Sequence, residues 1–358
     1  MNTPNHTTIV VLYTELAGYT LTCLQTLIAT HNVTVHVFRL DVNNEAPFEF
    51  NTVNTPQLHL YNESDYSADE LLQAVSTLNP QLIYCAGWSN KKYLHVVRKL
   101  AHINSVLCFD NKWTGTIKQR LGSVYAQLHI TPYFNYAFVA GQQQQLLALK
   151  MGFATPQIQL GVYAADVTYF NNLYQQQQEY KRSKTVKRFV YSGRYVGYKG
   201  IEQLWQAFAQ LCAEHPSINW ELWCVGTGPI APYAHPRIKH FGFVQPHQLQ
   251  TILNDADVFV LPSLVEPWGV VVHEFAAAGF PLLLSTEVGA NELFLTTTNG
   301  VEVAANNVLA LKTMLYNFTQ LSNEQLQLMG AKSNVLANNY TPTHWANKVM
   351  HMLQPLTN

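Results

Sequence analysis

Glu266 and Glu274 stand eight positions apart in Glu266-Pro267-Trp268-Gly269-Val270-Val271-Val272-His273-Glu274-Phe275-Ala276-Ala277-Ala278-Gly279. Two carboxylates at that spacing can accept hydrogen bonds from hydroxyl groups or share acid/base work. Pro267 disfavours helix at the residue before it, so the Glu266 carboxylate is free to point out of the helix that follows. Trp268, Gly269 and Val270 then expose backbone N–H groups at the helix start, a place for an anionic oxygen. Glu274 lies about one turn further on, where it can accept a diol. Glutamates near a helix start also complement its dipole and need do nothing else. The setting favours a ligand. A buried strand ending in Leu261-Pro262-Ser263 precedes the pair, and a helix of small residues ending at Gly279 follows it.

A second group lies upstream in Ser192-Gly193-Arg194-Tyr195-Val196-Gly197-Tyr198-Lys199-Gly200. Gly193 and Gly197 allow close approach of the backbone to a ligand. Arg194 offers a bidentate fork and Lys199 a point charge. With the helix N-terminus behind them, they suit a diphosphate. Alone, the segment fits a βα loop with two solvated cations equally well. Gly226 and Gly228, in Cys224-Val225-Gly226-Thr227-Gly228-Pro229, fit either a nucleotide approach or a plain turn. Phe243 and Val244, after Gly242, could read a pyrimidine edge through their backbone or simply form a turn.

The elements that must position these groups alternate between strand and helix. Residues 8–13, 33–38, 57–60, 82–86, 105–109 and 136–140 read as strands, with helices over 21–30, 67–79, 90–102 and 141–150. The alternation stops at 170–187, which holds Gln175-Gln176-Gln177-Gln178 and a basic run. It resumes with strands at 188–192, 220–225, 238–241, 258–261 and 281–285, helices at 200–211, 245–254 and 271–278, and a final helix at 343–353. This is an α/β chain of two doubly wound domains facing a central cleft. The expected boundaries are 1–169, a linker at 170–187, 188–340, and a helix at 341–358 crossing back to the first domain.

Length and composition agree with two domains: 358 residues, 48% hydrophobic and 12% charged, with net charge −1. That balance provides no basic field for nucleic acid. The five cysteines are odd in number and widely spaced, which fits buried thiols in a reducing compartment. No basic leader precedes the first strand, and no apolar run of about 18 residues could span a bilayer.

In order and spacing, residues 188–303 resemble the retaining glycosyltransferases of family 4, the group 1 glycosyl transferases, which have a GT-B fold. The matching pieces are Ser192-Gly193-Arg194 with Lys199, Val225-Gly226-Thr227-Gly228-Pro229, Gly242-Phe243, and Asp257 to Ser263 followed by Glu266 to Gly279. Val288-Gly289-Ala290-Asn291-Glu292 and Asn299-Gly300 extend the match. The first half resembles the family less distinctly, through Glu15-x-x-Gly18 and Phe138-Val139-Ala140-Gly141.

The resemblance implies roles. Arg194 and Lys199 would hold the donor diphosphate and, with Glu266 at the transferred sugar, form the catalytic set. Glu274 would bind ribose. Gly193, Gly226, Phe243, Val244, Trp268, Gly269 and Val270 would complete the donor site, and Gly18 would let the first-domain loop approach the donor. Neither glutamate is assigned as a covalent nucleophile. Where many members carry a histidine after the 105–109 strand, this chain has Asp110, which fits an acceptor-facing group or a helix cap.

No cofactor and no divalent metal are expected, and Asp255-Ala256-Asp257 reads as structural. The expected activity is transfer of a sugar from a nucleoside-diphosphate sugar, UDP-linked by preference, to a glycan or lipid-linked acceptor in cell-surface polysaccharide synthesis. The alternatives are a nucleotide-sugar epimerase and a non-catalytic sugar-nucleotide-binding subunit. Residues 91–120 carry seven cations against Asp110 alone. Tyr93, Val96, Val97 and Leu100 line the first of them, and Trp113, Ile117, Leu121 and Val124 the later ones. These segments fit either a peripheral contact with anionic membrane or helices docked on their own sheet. The expected location is cytoplasmic, with peripheral association at the inner face of the membrane as the variant.

Overall fold

Uninterrupted β-branched and aromatic runs form parallel strands buried on both faces, as in Thr7–Tyr13. The computed structural model describes residues 6–41, 55–177, 186–245 and 248–354. The chain divides into one unit of Met1–Ala164 with Pro342–Asn358 and another of Ala165–Thr341.

The first unit contains β1 (Thr7–Tyr13), α1 (Gly18–Thr30), β2 (Val33–Arg39), β3 (Leu58–Asn62), α2 (Ala68–Thr77), β4 (Leu82–Ala86), α3 (Lys91–Lys99), β5 (Asn104–Phe109), α4 (Ile117–His129), β6 (Tyr136–Val139), α5 (Gln142–Lys150) and β7 (Ile158–Leu160). Its strand order is β3-β2-β1-β4-β5-β6-β7, and every pairing is parallel. The chain runs outward from β1 in one direction, then returns to β4 on the other side of β1. The order therefore reverses between β1 and β4, which opens a crevice at their carboxyl ends.

Caps set several of these helices. Ser67 and Glu70 form a reciprocal capping box on α2, and the Asn90 side chain accepts from the N–H groups of Lys92 and Tyr93 at the start of α3. Helix α3 buries Tyr93, Val96 and Val97. The Tyr93 hydroxyl donates to the carbonyls of Tyr13 (2.9 Å) and Phe38 (3.0 Å), fixing α3 to the ends of β1 and β2. The apolar face of residues 93–100 is thus core. Helix α4 is the opposite case: Ile117, Leu121 and Val124 are exposed.

The second unit contains α6 (Val167–Gln177), β8 (Lys187–Ser192), α7 (Ile201–Glu214), β9 (Trp220–Val225), β10 (Ile238–His240), α8 (Leu249–Asp255), β11 (Val258–Leu261), α9 (Val270–Ala277), β12 (Leu282–Ser285), α10 (Asn291–Phe294), β13 (Gly300–Val303), α11 (Val308–Thr319) and α12 (Asn323–Ala337). The order β10-β9-β8-β11-β12-β13 is again all parallel and reverses between β8 and β11. The stretch expected to be a linker is helical through Gln177 and rests on α8 and α9. Phe170 and Leu173 give that helix a buried side, which the polar Gln run obscures in sequence. The rest of that stretch up to 185 lies outside the described residues. The helix expected from 245 begins at Leu249, and 246–247 also lie outside.

The chain then returns to the first unit as α13 (Pro342–His351). Trp345 of this helix is buried against Tyr84 and Phe138, and its indole N–H donates to the Val162 carbonyl at 2.9 Å.

Candidate functional site

The reversal of strand order in the second unit sets the loop after β8 beside the loop after β11. These loops carry Lys199 and Glu266, 67 residues apart in sequence, and the Lys199 ammonium donates to Glu266 Oε2 at 2.5 Å. Both are largely buried, with side chains 18% and 8% exposed. The Ser263 hydroxyl donates to the same oxygen at 3.1 Å. Glu266 Oε1 has no hydrogen-bond partner among the described residues. The result is an oriented carboxylate with one free oxygen beside a fixed cation.

The backbone holds this pair in place. The Tyr198 carbonyl accepts from the N–H groups of Leu264 (2.8 Å) and Val265 (3.0 Å), joining the two loops directly. Gly200 has φ +67°, and a Cβ there would run into the Pro262 carbonyl. On its other side, Glu266 forms a parallel bridge with Val288, and the Gly289 N–H donates to the Glu266 carbonyl at 3.0 Å. Replacing Gly200 with alanine combines left-handed strain with that clash. It should lower stability by about 2–4 kcal/mol, measurable as a lower Tm.

The glycine loops after β8, β9 and β10 are knitted together. Gly193 N–H donates to the Val225 carbonyl at 3.0 Å, and Gly226 N–H to the Gly242 carbonyl at 2.7 Å. Gly226 has φ +132°, and a Cβ on it would strike the Gly193 carbonyl. Arg194 follows in this layer, partly buried, with its carbonyl accepting from the Tyr191 hydroxyl at 2.9 Å. Phe243 and Val244 come next along the same edge, each partly buried.

Helix α9 starts at Val270 after Gly269 in the left-handed region at φ +93°. The Trp268 side chain is 2% exposed, so only its backbone can meet a ligand. Glu274 makes no side-chain hydrogen bond among the described residues. Burial, and then Asp166, push its carboxyl up to about 7. The residue is only partly buried, so its carboxyl oxygens remain open to a polar ligand. Its neighbour His273 does not share this character. His273 Nδ1 accepts from the Ala165 N–H at 3.1 Å, Nε2 donates to the Ala337 carbonyl at 2.9 Å, and burial holds its pKa down to about 4.

Two assigned residues belong to the first unit. Gly18 opens α1 and is not among the positive-φ glycines. Asp110 follows β5, where Gln144 Nε2 donates to its carbonyl at 3.0 Å. Burial raises the Tyr163 hydroxyl pKa, and the Asp110 charge adds to the shift. Sequence reasoning missed Ser263, Ser285 and the Tyr198 carbonyl. Ser285 Oγ donates to the Ser263 carbonyl at 2.5 Å. The only sequence signal for these serines is that each ends a buried strand.

Residues 186–319 match the family model described as Glycosyl transferases group 1. An uncharacterised glycosyltransferase of Methanocaldococcus jannaschii is 32% identical over 130 residues, covering 34% of this chain and 33% of that protein. The putative colanic acid biosynthesis glycosyltransferase WcaL of Escherichia coli K12 is 25% identical over 220 residues, covering 55% of this chain and 52% of its own. The match thus spans between a third and about half the length of these curated relatives. Among solved structures, HepE of Anabaena in complex with UDP and glucose aligns with a TM-score of 0.71 at 14% identity, over 97% of this chain and 100% of its own. That likeness is one of fold. Residues 186–319 are thus similar to the glycosyl transferases group 1 family, and the fold is of the GT-B kind.

Proposed function

We propose that this protein is a retaining glycosyltransferase of family 4, moving a sugar from a UDP-sugar to a glycan or lipid-linked acceptor in polysaccharide synthesis. The observation that carries the reading is the Lys199–Glu266 pair at the reversal of strand order, with one Glu266 oxygen left for a sugar hydroxyl. The similarity to the group 1 family and the UDP and glucose bound by HepE support it.

In this reading the bond between the anomeric carbon and the β-phosphate oxygen breaks, and both electrons leave with the phosphate. Lys199 and Arg194 stabilise that developing charge, while Glu266 orients the sugar. The acceptor hydroxyl attacks from the face the phosphate leaves and gives its proton to a phosphate oxygen. The products are UDP and a glycoside of unchanged anomeric configuration. Residues of the chain itself meet the diphosphate charge, so we propose a reaction without a divalent metal. Five buried free cysteines fit the reducing cytoplasm as its location.

A thermal-shift screen across UDP-, GDP- and ADP-sugars tests the donor. A donor present at about 100 times its Kd stabilises the fold by about 2.7 kcal/mol, so a UDP-sugar should raise Tm by several degrees. No shift with any UDP-sugar would remove the donor assignment. Product analysis of the anomeric configuration then decides retention.

A further inference from the structure

Surface helices normally turn their apolar stripe inward, and α4 does the reverse. Ile117, Leu121, Val124 and Leu128 are 79%, 68%, 56% and 67% exposed, and Tyr125 beside them is 56% exposed. The helix rests on its unit through the opposite side, where Ser123 and Ala126 are buried. Because those residues and Gly122 are small, a cavity of about 760 Å³ remains between α4 and α3, floored in part by Leu94, Leu147 and Met151.

The surrounding charge indicates what covers the stripe. At about 3.6 residues per turn, Lys118 and Arg120 fall on either side of it. Lys91 lines the same cavity as Lys118, and neither has an ion-pair partner among the described residues. Of the nearby carboxylates, Glu63 is paired with Lys92 at 3.2 Å, and Asp69 lies 3.3 Å from His95 with its side chain 94% exposed. Residues 91–129 contain no acid besides Asp110. An isologous pair of chains meeting through this stripe would set these cations against their own copies. A surface with negative headgroups above an apolar interior matches both features.

We propose that α4 seats the first unit on an anionic membrane. The stripe enters the boundary between headgroups and acyl chains, while Lys91, Lys118 and Arg120 meet lipid phosphates. The inference is separate from the transfer reading, since vesicle binding is measured without turnover.

The test is flotation of the full chain with vesicles of phosphatidylcholine alone or with about 30% phosphatidylglycerol added. Binding should be at least about tenfold stronger on the anionic vesicles and should weaken as salt rises. Leu121→Ser with Leu128→Ser, and separately Lys118→Glu with Arg120→Glu, should each reduce it about tenfold or more. All four side chains are exposed, so Tm and the UDP thermal shift should stay unchanged. Absence of binding to anionic vesicles would overturn the proposal, as would undiminished binding by either variant. A dimer in light scattering that the leucine variant splits, with no vesicle binding, would assign the stripe to a second copy instead.

Discussion

Lys199→Ala should lower UDP release from the donor sugar by about 10²–10³-fold, the loss typical when a fixed group stabilising transition-state charge is removed. It should also destabilise the protein. Lys199 neutralises a Glu266 carboxylate that is itself 6% exposed. Removing one partner of a buried pair strands the other charge, at a cost of about 3–5 kcal/mol when both are fully buried. The partial exposure of the ammonium places this case near the lower end, roughly 3 kcal/mol. Pairing Lys199→Ala with Glu266→Gln should restore most of that stability, because no charge is stranded, while turnover stays low. Chemical denaturation and steady-state kinetics on the same samples separate the two effects. Native-like turnover in both Lys199→Ala and Glu266→Ala would remove the pair from the site.

The second large effect concerns Glu274. Burial, and then Asp166, raise its carboxyl from an ordinary 4.5 to about 7. Between those values the folded chain holds a proton that the unfolded chain has released. Stability contributed by this group is therefore full below about 4.5 and is lost as pH rises to about 7. Glu274→Gln cannot ionise. It should match the native chain at pH near 4 and exceed it at pH near 8, by at most about 3 kcal/mol. Ligand binding should move the other way. Accepting hydroxyl hydrogen bonds from a ribose favours the carboxylate, so UDP should bind more tightly as pH rises through 7. The glutamine variant should bind about 10–100-fold more weakly, with a flat pH profile. Calorimetric titration with UDP at several pH values measures this. A variant that binds UDP as the native chain does at every pH would take Glu274 out of the ribose contact.

Much of the fold could be read locally. Strands 82–86, 220–225 and 258–261 coincide with the observed β4, β9 and β11, because parallel strands buried on both faces are near-continuous apolar runs. Strand β13 and helices α11 and α12 escaped the reading. The strand is short, Val-Glu-Val after Gly300, and the helices mix Asn and Gln into their apolar spacing. The site was legible as residue types and loops, but not as an arrangement. Nothing local joins Lys199 to Glu266; the contact exists because β8 lies next to β11, a pairing set by the whole sheet. The exposure of α4 was hidden for a similar reason. Its stripe has core-like spacing, and only the small residues on its far side reveal which face is turned inward.

The return of α13 to the first unit has a consequence for how the protein is made. Residues 165–341 are contiguous, and their sheet can close as soon as they have left the ribosome. The earlier unit must wait. Until Trp345 arrives, the rings of Tyr84 and Phe138 lack their cover and the Val162 carbonyl lacks its donor. Lys348, which donates to the Leu160 carbonyl at 2.7 Å, comes later still. During synthesis the order of completion is therefore reversed: the part translated first is finished last, and it exposes apolar surface to chaperones for the time needed to translate the other.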